Sequence, residues 1–224
     1  AYSLQLRRDE RLEEFMDSTI ALIAACQRPD GYLYISHICG NPDAMMGDKP
    51  YSYVIHSHEL YNMGHLYEAA VAYYQATGKR ELLDVAIKNA RHVNRVFFEG
   101  DPAYNDGKPV NQAPGHEEIE LALCKMYKAT GDRLFLDMAK KFLDIRGVTF
   151  IPDGNGVNSA TYAQQHKPVA LQREAVGHCV RAIYLYTGMA QVDALAGIDE
   201  YKTALDTIWN DLVSTKMHIT GGIG

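Results

Sequence analysis

Three short stretches place a histidine beside carboxylates: His58-Glu59-Leu60-Tyr61, Pro114-Gly115-His116-Glu117-Glu118-Ile119-Glu120 and Glu174-Ala175-Val176-Gly177-His178. Each stands at the start of an apolar pattern with helical spacing. Neutral imidazoles donate and accept hydrogen bonds and carboxylates accept them, so such groups suit hydroxyl-rich ligands. Paired carboxylates would also suit glycoside hydrolysis, in which one acid protonates the leaving oxygen. Glu59, Glu117, Glu118 and Glu174 are the candidates, and spacing alone selects no two of them.

Each residue also has a plainer reading. His58 and His116 could serve as helix-start residues that bond locally. Glu117 and Glu118, placed in a first turn, would be favoured there by the helix dipole. Glu174 and His178 at i, i+4 could form a surface pair. His65 shares a helix face with His58 and reads as a satisfied core histidine. No His-x-x-x-His or His-Glu-x-x-His occurs on one helix, so spacing assigns no metal ligands.

The elements that position these groups come in pairs. Arg11 to Gln27 carries helical periodicity and ends at Pro29-Asp30-Gly31, after which Gly31 to Ile35 reads as a short extended segment. Residues 40–52, with Pro42, read as loop. Helical patterns follow over His58 to Ala76 and Glu81 to Phe98, then over His116 to Ala129 and Arg133 to Ile145. A third pair covers Leu171 to Tyr186 and about Glu200 to Val213, after a polar 147–168 loop. The first pattern of each pair is expected to close on Thr-Gly: Thr77-Gly78, Thr130-Gly131 and Thr187-Gly188. The stretch from Tyr74 to Ala86 matches that from Tyr127 to Ala139, and Tyr184 falls in register with Tyr74 and Tyr127.

A repeated helix pair whose inner helices all start at one rim predicts an all-α toroid, with His58, His116 and His178 lining one cavity. Ala69, Ala70, Ala72, Ala122 and Ala182 would let inner helices approach closely. Longer loops at one end favour a closed toroid over an open solenoid.

Composition sets the outer limits. The 224 residues suffice for one large domain or part of a larger one. A net charge of −6 with interspersed signs excludes the basic face that nucleic acid would require. No apolar run is long enough to span a bilayer. Fifteen tyrosines suit stacking and hydroxyl contacts, although most are expected in packing. Cys26, Cys39, Cys124 and Cys179 lack metal-ligand spacing, and Cys124 and Cys179 read as buried small hydrophobes. No signal peptide opens the chain, which begins directly on helical sequence, as a fragment would. The compartment is therefore left unassigned between the cytoplasm and the periplasm or exterior.

Five segments carry a family resemblance: His58 to Leu66 (HELYNMGHL), Pro114 to Leu123 (PGHEEIELAL), Tyr162 to Val169 (YAQQHKPV), Glu174 to His178 (EAVGH) and Thr220 to Gly224 (TGGIG). Together they resemble glycoside hydrolase family 127, and they do not separate it from the related family 146. They span nearly the whole chain in the family's order. The resemblance implies an (α/α)6 barrel and a retaining β-L-arabinofuranosidase-type activity that releases L-arabinofuranose from plant glycans. It implies sugar contacts from His58 and His116, and an active-site place for His178.

The same resemblance implies what residues 1–224 lack. The family's acid/base glutamate follows its Gly-Gly-Ile-Gly motif, and the nucleophilic cysteine and the glutamate and cysteine ligands of zinc come later still. No catalytic residue and no zinc ligand is therefore expected in this chain, which is read as a partial α/α-barrel domain that binds carbohydrate and is inactive alone. Apolar inner-helix faces left uncovered by missing barrel and β domains would promote self-association. The rival readings are a non-catalytic helical-repeat binding module and another α/α-toroid carbohydrate enzyme, an epimerase or unsaturated uronyl hydrolase. The latter needs an acidic pair and bases for a uronate, and the inner helices offer few such bases.

Overall fold

The fold is that of a computed structural model describing residues 1–40, 46–151 and 159–224. Pro42 and the middle of the 147–168 segment lie outside the described residues. In chain order the helices are α1 (Tyr2–Leu6), α2 (Glu10–Cys26), α3 (Ile35–Ile38), α4 (Glu59–Thr77) and α5 (Glu81–Asn94). They continue with α6 (Ile119–Thr130), α7 (Arg133–Ile145), α8 (Cys179–Ala196) and α9 (Lys202–Asp211). Single π-helical turns, Arg95–Glu99 and Leu212–Lys216, extend α5 and α9. Among the described residues there is no strand, only an isolated bridge between Met217 and Ile223. The all-α expectation is met.

Helices α4, α6 and α8 lie side by side, and α5, α7 and α9 back them in a second layer. Short α1 packs on α4, and α2 packs on α5, continuing both layers. The outer helices carry one apolar stripe, as in α7, where Phe135, Leu136, Met138, Ala139, Phe142 and Leu143 are buried and the lysines face out. The inner helices are apolar on more than one side, because they touch both a neighbour and a backing helix. The core therefore runs between the layers, through Tyr67, Leu83, Val93, Phe97, Leu123, Phe142 and Leu185.

Local chemistry explains the ends. Asp9 and Asp132 cap α2 and α7 by accepting the amides of Leu12 and Leu134 at 3.1 Å. Gly78 and Gly131 end α4 and α6 in the left-handed conformation, as Thr-Gly predicts.

The third pair departs from expectation. Thr187-Gly188 does not close α8, which runs on to a left-handed Gly197. Gly188 serves packing instead: a Cβ there would stand 3.1 Å from Glu120 Cβ on α6. The start of α8 also moves, from Leu171 to Cys179, so Glu174 and His178 share no helical turn. Two further differences are local. Ile35 opens the short α3 rather than ending an extended segment. Helix α6 begins at Ile119, so His116, Glu117 and Glu118 precede it rather than forming its first turn.

Candidate functional site

His58 and His178 are the residues immediately before α4 and α8, and His116 stands two residues before Glu118, which precedes α6. Because the three inner helices begin at one rim, their histidines converge. The His58 and His116 ring centres lie 5.9 Å apart, and those of His116 and His178 lie 6.5 Å apart. Tyrosines that the motifs did not single out as ligands complete the cluster. Tyr61, one turn into α4, packs 4.1 Å from the His116 ring and 5.6 Å from His58. Tyr184 stands 5.9 Å from His116, and Tyr162 stands 5.4 Å from His178. Tyr61 was accessible from sequence, since i, i+3 places it on the face of His58. Tyr184, put in register with Tyr74 and Tyr127 by the Thr-Gly alignment, lies at the rim instead, because Gly197 and not Gly188 ends α8.

The loop carrying His116 is held by buried contacts. The Gly115 amide donates to Val54 O at 3.2 Å, and a Cβ on Gly115 would fall 1.8 Å from Ile55 O. Only glycine lets these backbones approach so closely. Arg181 donates to Gly115 O at 2.6 Å while its guanidinium covers the Tyr162 ring at 4.8 Å. Arg146, fully buried, donates to Pro114 O at 3.0 Å and Ala163 O at 3.1 Å. The same guanidinium reaches Glu117 at 2.9 Å and Glu120 at 3.1 Å. One cation thus ties the His116 loop to α6, to the end of α7 and to the segment around Ala163. Nothing in the spacing of Arg146 announced this; it reads as one more base after an amphipathic helix.

The ring chemistry follows from the surroundings. His116 Nδ1 lies 2.7 Å from Glu117 O. A carbonyl oxygen only accepts, so Nδ1 carries the proton and Nε2 keeps a free lone pair. Burial, with nearby Arg181, His58 and His178, pushes His116 down to about 4 despite the Glu117 carbonyl. Burial and Arg181 also lower His58. Both rings are neutral near pH 7, and each can accept a hydroxyl proton.

The candidate carboxylates have other partners. Glu59 accepts from Tyr32 Oη at 2.6 Å, Ser57 Oγ at 2.9 Å and the Tyr51 amide at 3.1 Å, which makes it a buried structural acceptor. Glu117 is bound to Arg146, yet burial raises it to about 8. Glu174 meets Lys216 at 3.2 Å rather than His178. Glu118 is fully buried, and burial, then the charges of Glu68 and Glu120, lift it to about 8. His65 is not a core residue: its side chain is 39% exposed and faces Glu118 at 3.5 Å.

The cysteines do not form the thiolate set that zinc in the resembled family requires. All four are free; Cys26 and Cys39 are exposed, Cys124 is buried and Cys179 is half-buried. The described residues that group as metal ligands are His65, Glu68 and Glu118, with no cysteine. These residues do not fit that zinc centre.

The model of the β-L-arabinofuranosidase GH127 catalytic domain matches residues 1–224. A non-reducing end β-L-arabinofuranosidase of Bifidobacterium longum subsp. longum is 37% identical over all of this chain and 35% of its own length. A solved GH127 β-arabinofuranosidase superposes with a TM-score of 0.90 at 47% identity, over 100% of this chain and 34% of that one. A GH127 β-L-arabinofuranosidase from Geobacillus stearothermophilus T6 gives 0.87 at 38% identity, over 100% and 35%. The chain therefore spans about a third of the length of the relatives it matches. With its whole length matched, the chain belongs to the GH127 β-L-arabinofuranosidase catalytic-domain family.

Proposed function

We propose that this chain is the substrate-holding part of a catalytic domain that releases L-arabinofuranose from plant glycans with retention of configuration. The observation that carries the reading is the convergence of His58, His116 and His178 with Tyr61, Tyr162 and Tyr184 on one rim. Neutral His116 offers Nε2 to a sugar hydroxyl, and His58 adds a second neutral ring. The tyrosines offer apolar faces to the sugar's carbon skeleton and hydroxyls at their edges. A mere scaffold would have no reason to gather such groups on one rim.

The chemistry is assigned to the remaining two-thirds of a protein of the relatives' length. There the parent would hold its acid/base, its nucleophilic thiolate and zinc, which supplies charge stabilisation when bound. The role of residues 1–224 is to bind and orient. The two-layered arc is read as a segment of an (α/α)6 toroid. Val180, Ile183, Trp209 and Val213 are exposed on α8 and on α9 with its π turn, the side where further helices or a second copy would pack. No helix among the described residues is long and apolar enough to cross a membrane.

Calorimetric titration of the chain with methyl β-L-arabinofuranoside tests the reading. Binding is expected, weakened at least about tenfold by His58→Ala or His116→Ala. Equal binding in both variants would overturn the assignment. Turnover of an arabinofuranoside by residues 1–224 alone would refute the separation of holding from cleavage.

A further inference from the structure

We propose that His65, Glu68 and Glu118 form a binding site for one divalent metal cation. This inference does not rest on the sugar reading. His65 and Glu68 occupy i, i+3 positions on one face of α4, and Glu118 reaches them from the start of α6. One ligand atom from each lies within 4.8 Å of the other two. Gly64 makes the approach sterically feasible, because a Cβ there would stand 2.5 Å from Glu118 Cγ.

Glu118 supplies the independent indication of a ligand. Its side chain is 0% exposed, its Oε1 points at His65 Nδ1 from 3.5 Å, and neither carboxylate oxygen has a hydrogen-bond donor. A buried, donorless carboxylate is costly unless a proton or a metal cation joins it. Lys125 supplies one charge, but it binds Glu68 Oε1. A cation that displaces the Glu118 proton meets two carboxylates against one ammonium, a balance that favours binding.

The donor set defines the ion. One imidazole nitrogen and two carboxylate oxygens suit Mn²⁺, Fe²⁺, Co²⁺ or Zn²⁺, and the absence of thiolate removes any preference for soft metals. His65 and Glu68 are half-exposed, so water can fill the remaining coordination positions. The Tyr61 ring abuts His65 edge-on at 4.5 Å and 90°, which restrains the imidazole.

Mn²⁺ is the probe, because exposed Cys26 and Cys39 compete poorly for it. The 224-residue chain is titrated with Mn²⁺ and followed by electron paramagnetic resonance. The expected result is saturable binding of one ion at micromolar concentration. Glu118→Gln, Glu68→Gln and His65→Ala should each weaken it at least about tenfold with helical circular dichroism retained. Glu68→Gln alters a half-exposed residue and keeps the test decisive if the buried Glu118→Gln misfolds. Absence of saturable binding at millimolar Mn²⁺, or unchanged affinity in any folded variant, would overturn the site.

Discussion

Arg146 and Glu117 meet at 2.9 Å with neither side chain exposed, and the guanidinium also grips the carbonyl of Pro114. The backbone ahead of His116 is therefore held by a guanidinium at the end of α7. Replacing one partner of a buried pair strands the other, at a cost of about 3–5 kcal/mol. Arg146→Leu should lose about that much stability in denaturant unfolding, and Arg146→Lys should lose less. Equal stability of Arg146→Leu and the parent chain would show that Glu117 and Glu120 find other partners.

Gly115 makes a second, purely steric prediction. A methyl group there collides with Ile55 O, which belongs to the backbone and cannot rotate away. Gly115→Ala should shift the His116 loop and abolish detectable arabinofuranoside binding. Gly78→Ala is the control: its Cβ meets nothing, so only the left-handed backbone is strained, at about 1 kcal/mol, and binding persists. The pair fails if both variants bind alike.

His116 predicts a flat pH response. His116 lies at about 4 rather than near 6.5. Sugar affinity should stay level from neutral pH down to about pH 5 and fall only below that, as the ring gains its second proton. Titrations at successive pH values check this; a midpoint near 6.5 would mean that the ring is solvated and titrates normally.

Glu118 predicts the opposite kind of dependence, on stability. Its pKa is about 8 in the folded chain against the usual 4.5, so the folded state holds a proton that the unfolded chain releases between those values. The stabilisation is complete below the unfolded value and is lost as pH rises through the folded one. Glu117 acts in the same direction, and His116, lowered instead, favours the fold as pH rises from about 4 to 6.5. Glu118→Gln isolates one group. In chelator-treated buffer it should match the parent near pH 5 and exceed it by on the order of 2 kcal/mol near pH 9. A constant difference across that range would place the proton elsewhere.

The sequence pattern reached the helices and the three histidines, because apolar periodicity and helix starts are local properties. Thr77-Gly78 and Thr130-Gly131 behaved as local stops. Thr187-Gly188 did not, because contact with Glu120 on α6, a tertiary fact, decided the role of that glycine. The grouping of Glu118 with His65 was equally hidden, since residues more than fifty positions apart meet only when α4 and α6 pack. His65-x-x-Glu68 was the one local hint, and it stayed mute without its third member. Glu117 and Glu118 were placed on a helix by composition; Arg146 and burial put them ahead of it.

His58, His116 and His178 all precede their helices rather than lying within them. The layers pack through α4 to α9, whereas the rim imidazoles hang on the connections. If the rim holds sugar as proposed, exchange of one connecting segment would alter which glycoside is accepted while the packed helices stay untouched. The same division marks where chimeric connections could be grafted to retarget the rim.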